Sequence, residues 1–176
     1  MKRIIFLFVF GIMSLISFGQ IYEPEFTYEC GILLNDTSLI ICEKQQGKVT
    51  GKASASIYLT GIGKVKSRYQ IPGHSSPIRI KKSDKVVLIC RAITNTIDPN
   101  QVINVYQLEQ KSKYRQVQIG KIGTFTGSEI GANNITFAAT RYGNSSYKIE
   151  INNLPCGEYG VTVLNPMLFS CFAIEE

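Results

Sequence analysis

The chain contains no tryptophan and a single histidine, His74. One histidine leaves little room for a Cys/His zinc site. The lack of tryptophan weakens any reading that stacks sugars on rings. No Cys-x-x-C occurs, which argues against a redox motif, and no Gly-x-Ser-x-Gly occurs, which argues against a nucleophile elbow. After residue 19 there is no further long apolar run, no internal repeat and no low-complexity linker. No segment there holds a 3.6-residue apolar period over three turns.

What is present begins at the N-terminus. Lys2 and Arg3 precede an apolar stretch over residues 4–18 that is broken only by two serines. Ser17 and Gly19 place small residues three and one before Gln20. This is the layout of a cleavable export signal over residues 1–19. About 15 apolar residues fall short of the ~20 that span a bilayer. The first cysteine, Cys30, lies too far on for a lipid anchor. The expectation is an exported, soluble, periplasmic or secreted product, without a lipid anchor or stable membrane span.

Residues 20–176 then form one domain of ordinary size. Its charge is modest: 19 basic residues less Lys2 and Arg3 leave 17 against 13 acids, or +4. That predicts solubility and a weak pull towards anionic partners, with no nucleic-acid signal. No cofactor is expected. Five cysteines remain, an odd number, so at least one thiol is unpaired or bonded outside the chain.

The domain reads as short strands between turn clusters. Residues 30–34 and 39–43 flank Asn35-Asp36-Thr37-Ser38, a hairpin signal. Cys30 and Cys42 are equidistant from Asp36 and face each other across it, either as a disulfide or as two small buried hydrophobes. Residues 53–70 read as a long β stretch interrupted at Gly61 and Gly63. Residues 71–77 form a loop by composition. Residues 86–90, Val-Val-Leu-Ile-Cys, suit a strand buried on both faces. Residues 102–109, 114–119, 135–140, 147–151, 158–164 and 168–175 are further strands, and the glycine-rich residues 120–134 read as a long loop. About ten short strands predict an all-β antiparallel sandwich, immunoglobulin-like or related, with a barrel as the alternative.

Three groups of residues are chemical candidates. Lys64, Lys66 and Arg68 alternate along one strand face, and Arg79 and Lys81 would join them if the two strands pair. Such a face suits an anionic glycan, a lipid head group or an acidic protein; the competing reading is a lysine-guarded edge strand, which is preferred here. His74 beside Ser75 and Ser76 superficially suggests a hydrolase, but adjacent serines seldom have triad geometry, and a solvated loop histidine is expected. Paired carboxylates could cleave a glycosidic bond, with Glu158 the first to inspect; a turn-holding acid is the simpler reading. The sequons at Asn35, Asn134 and Asn144 matter only in a eukaryotic secretory pathway.

The most patterned segment is Leu154-Pro155-Cys156-Gly157-Glu158-Tyr159-Gly160-Val161-Thr162-Val163. Pro155 and Gly157 make a corner, and Tyr159, Val161 and Val163 then share a strand face. A tyrosine placed there buries its ring and bonds its hydroxyl to the corner backbone. The run resembles the corner-and-strand segment of fibronectin type III domains. It also resembles a group of small exported bacterial proteins whose C-termini read Pro-Gly-Glu-Tyr-Gly, a strand, then Phe-x-Phe-Gly-Ile-Asp. Here the final strand is Phe169-Ser170-Cys171-Phe172-Ala173-Ile174-Glu175, with departures at Cys156, Ala173 and Glu175. Arg79, Asp98-Pro99 and Tyr142-Gly143 fall where that group has similar residues. The resemblance implies a β-rich exported protein and no particular activity. A weaker likeness links the segment to the sorting domain of outer-membrane secretion cargo, which usually ends in a lysine-rich strand; this chain ends Ile174-Glu175-Glu176. The expected role is a binding or structural component of the cell envelope with an envelope protein or glycan as partner. An envelope hydrolase, or an inhibitor or adaptor of another exported protein, is the alternative.

Overall fold

The computed structural model describes residues 21–83, 85–131 and 134–176, so the export signal predicted over residues 1–19 lies outside the described residues. The chain is all-β, and the described residues hold fourteen strands in two sheets. The smaller sheet runs β11 (Ala138–Tyr142), β12 (Ser146–Asn152), β7 (Lys85–Arg91), β1 (Cys30–Leu34), β2 (Ser38–Ile41). The larger runs β3 (Glu43–Gln46), β14 (Leu168–Glu175), β13 (Gly157–Val163), β8 (Ile103–Gln110), β9 (Tyr114–Gly123), β5 (Lys64–Pro72), β4 (Lys48–Ala53). Beside that path, β10 (Gly127–Ile130) pairs with β9, and β6 (Arg79–Lys81) runs parallel to β14.

The larger sheet curls back on itself. Its two ends, β3 and β4, belong to one stretch, residues 43–53, interrupted only at Gly47. Before Gly47 the stretch pairs with β14; after it, with β5. Gly47 itself donates its N–H to Met167 O at 2.8 Å. A Cβ there would lie 2.7 Å from the Phe169 ring, so glycine lets the strand cross over the packed interior. Sandwich and barrel character are thus combined.

Two cores result. The sandwich core lies between the sheets and includes Ile32, Leu88, Ile149, Tyr159, Val161 and Phe172. The second fills the curled sheet with Ile71, Tyr106, Leu108, Val117, Phe169 and Cys171. Strands β13 and β14 face one core with each side, which is why nearly every residue in them is buried. Alternation still holds, but it separates two interiors rather than interior from water.

Several sequence expectations need correction. The predicted β stretch over residues 53–70 contains a short helix, α1 (Ala55–Thr60), closed by Gly61 at φ +70°. Six residues are too few to show a helical period, and Ile57-Tyr58-Leu59 imitates a strand. The predicted loop over residues 120–134 holds the end of β9 and all of β10, since Gly127 at φ +70° turns a hairpin rather than ending a strand. Residues 44–46 and 48–52 lie in strands that sequence reading did not assign. Between β7 and β8 the chain also makes one helical turn, α2 (Pro99–Val102), capped by Asp98.

Candidate functional site

Strand β5 carries the predicted basic residues, and it is an interior strand between β4 and β9. The edge-strand reading of its lysines is therefore overturned. Register places Lys52 opposite Lys66, and Lys66 opposite Lys121, so three cations stand abreast on neighbouring strands. Like charges directly opposed in a sheet destabilise it. Lys121 reaches Glu129 at 3.9 Å; among the described residues no acid lies within 4 Å of the Lys52, Lys66 or Arg68 charge as an ion-pair partner. Lys66, Arg68 and Lys121 line a groove of about 810 Å³ together with Gln107 and Glu109. Lys111, then Gln116, bond the Glu109 carboxyl and hold it below the usual range.

Arg79 and Lys81 do not join this face. Their strand, β6, pairs with β14 instead of β5. Arg79 is committed to Glu175 at 2.8 Å and Glu158 at 3.2 Å, and the Glu175 bond chiefly raises its already high pKa. With Lys81 it lines a separate cleft of about 580 Å³ beside the β1–β2 hairpin.

The groove leads to a tip that sequence reading missed. Here Gly63, in the link between α1 and β5, is tied to the β9–β10 turn: its N–H donates to Thr124 Oγ1 at 3.0 Å, and Thr124 N–H donates to Gly63 O at 3.1 Å. Tyr58, Leu59 and Phe125 are 81%, 84% and 80% exposed, and Ile62 and Ile122 are also exposed. Lys64 lies across from Gly123 at the base of the same tip.

The far end of the curled sheet carries a buried charge network. Arg115 is fully buried. It donates to Pro72 O (3.0 Å), Gly73 O (3.2 Å), Glu43 Oε2 (3.0 Å) and Glu158 Oε2 (3.4 Å). Glu158 also accepts from Ser76 N at 2.8 Å. These bonds fasten the loop over residues 72–78 across the end of the interior. His74 joins in, donating from Nδ1 to Lys111 O at 2.7 Å. Ser76 is buried and donates to Cys171 O at 3.2 Å, so it makes no pair with His74. Glu158 and Glu43 do converge, but on Arg115, with which each forms an ion pair.

At the C-terminal corner, Tyr159 is fully buried and its hydroxyl donates to Pro155 O at 2.6 Å. Gly157 has φ +155°, and a Cβ there would come within 3.3 Å of Gln107 Nε2. Cys30 and Cys42 are both buried and no disulfide joins them in the structure; Cys42 N–H donates to Cys30 O at 3.0 Å.

No family model matches the chain, and no curated protein or solved structure matches it at a significant level. Among the described residues, no helix is long and apolar enough to cross a membrane.

Proposed function

We propose that this is an exported envelope protein that docks on an anionic lipid surface through the tip built by α1 and the β9–β10 turn. The observation that carries this reading is that α1 and the β9–β10 turn, linked through Gly63 and Thr124, both carry exposed apolar side chains and are both reached by lysine-bearing strands. Tyr58, Leu59 and Phe125 stand almost fully in water, where clustered apolar side chains mark an interaction surface. Lys52, Lys64, Lys66 and Lys121 lie on the strands that lead into them. An interfacial element buries apolar side chains at the acyl boundary while cations meet the head groups. Each lysine near an anionic surface contributes about 1 kcal/mol, so four contribute roughly 4 kcal/mol before salt screening. An anionic glycan would satisfy the lysines but leave Tyr58, Leu59 and Phe125 without a use. The export half of the proposal rests on Lys2-Arg3, the apolar stretch after them and the small residues before Gln20.

Sedimentation of residues 20–176 with phosphatidylcholine vesicles, with and without phosphatidylglycerol, tests the docking. Binding is expected only to the anionic vesicles, with release by salt and loss in Leu59→Glu/Phe125→Glu. Equal binding by that variant, or no binding to anionic vesicles, refutes docking. Tight binding to polygalacturonate that ignores the variant would identify a glycan instead. Export is tested separately: the native protein is expected to begin at Gln20, and an intact Met1 overturns it.

A further inference from the structure

We infer that Cys30 and Cys90 form a disulfide across the β1–β7 ladder, leaving Cys42, on the other side of Cys30, as a free thiol. The register places Cys30 directly opposite Cys90. On its other side Cys30 meets Cys42, whose N–H donates to Cys30 O. Three thiols therefore stand on one rung, all buried in the sandwich core.

The two neighbours of Cys30 are not equivalent. Backbone bonding alternates along an antiparallel ladder. Cys30 spends its carbonyl on Cys42, whereas the bond to β7 is made one residue earlier, from Arg91 N–H to Glu29 O at 2.9 Å. The Cys30–Cys90 pair is thus non-hydrogen-bonded, the kind in which side chains approach most closely. A disulfide needs its Cβ atoms about 3.5–4.5 Å apart, and this is the pair that best meets that need. Burial, reinforced by the facing Cys90, pushes the Cys30 thiol well above its ordinary pKa, and burial does the same to Cys42.

The reaction is a thiol exchange with a small-molecule or protein disulfide as the oxidant. The Cys30 thiolate attacks one sulfur of that disulfide, forming a mixed disulfide and releasing one thiol. The Cys90 thiolate then attacks the Cys30 sulfur, forming the Cys30–Cys90 bond and releasing the second thiol. Two electrons pass from the cysteines to the donor, and two protons accompany them. Burial, reinforced by Cys90, pushes the Cys30 thiol well above its ordinary pKa, so the exchange precedes closure of the core. An oxidising compartment follows from the export reading; the exchange itself can be followed in a test tube without it.

The test refolds reduced, denatured residues 20–176 in a glutathione redox buffer, then alkylates under denaturing conditions and maps peptides by mass spectrometry. The expected result is two fewer alkylated cysteines than in the fully reduced chain, a Cys30–Cys90 linked peptide, and an unchanged yield of that peptide in Cys42→Ala. A midpoint of thermal unfolding that falls on reduction is expected with it. Five alkylated cysteines, or a Cys30–Cys42 peptide as the main product, would overturn the inference.

Discussion

Replacing Arg115 with methionine isolates the charge network from the packing around it. Methionine keeps most of the aliphatic stem, so the cost arises from lost bonds and from the anions left behind. Arg115 donates to two loop carbonyls and two carboxylates. Of those carboxylates Glu158 is the more buried, with 2% of its side chain exposed against 15% for Glu43. Without Arg115, Glu158 retains only Ser76 N–H and the half-exposed Arg79. Removing one partner of a buried ion pair costs about 3–5 kcal/mol. For a chain of this size that lowers the unfolding midpoint by roughly 6–20 °C. With no tryptophan in the chain, urea unfolding can be followed by tyrosine fluorescence together with circular dichroism. Arg115→Met/Glu158→Gln removes the stranded charge as well, so it should be at least about 2 kcal/mol more stable than the two single losses summed. A single-variant loss under about 1 kcal/mol, or additivity within about 0.5 kcal/mol, would show that the network does not hold the loop as described.

Tyr159→Phe removes the bond to Pro155 O and leaves a corner carbonyl short of a partner, for an expected loss of about 1–2 kcal/mol in urea unfolding. Burial raises the Tyr159 phenol from 10.0 to about 12. The folded chain therefore holds this proton more tightly than the unfolded chain, and stability falls as pH rises from 10 through about 12. Cys171, raised by burial from 9.0 to about 12, acts with the same sign from pH 9 upward. Urea midpoints across this range should fall less steeply in Tyr159→Phe than in the parent; an identical slope would count against the phenol. Gly47→Ala drives a Cβ into the Phe169 ring and should cost about 1–3 kcal/mol, measured against the exposed control Gly51→Ala, whose Cβ meets nothing within 4 Å. Reducing a Cys30–Cys90 bond, which closes a loop of roughly 60 residues, should cost up to about 4 kcal/mol on the chain-entropy estimate.

The parts of the fold that sequence made legible are those whose cause is local. Asn35 and Asp36 both adopt positive φ, 48° and 57°, and turn the β1–β2 hairpin that their side chains advertise. Val86 to Cys90 form a central strand because an apolar run pairs well on both sides. Residues 44–46 and 48–52 were illegible for the opposite reason: their side chains are mostly polar, and they are strands because distant partners, β14 and β5, offer them ladders. Arg115 left a faint signal, since alternation puts it on the face of Val117, the wrong side for a surface cation. Glu158 likewise alternates with Tyr159, and its carboxylate meets Arg115 and Ser76 N–H on the side away from the sandwich core. The tip stayed hidden because nothing in Ile57-Tyr58-Leu59 announces that the sheet ends before covering them.

The shared position of β14 has a consequence for the order of folding. Its residues pair with β13, β3 and β6, and its two faces complete both interiors. The pairing of β3 with β14 joins residues more than a hundred positions apart, so closure carries the entropy of a very long loop. Neither interior can be finished until residues 168–175 are available. The chain therefore remains open until residues 168–175 are in place, and a chain cut before Leu168 should remain protease-sensitive along its whole length.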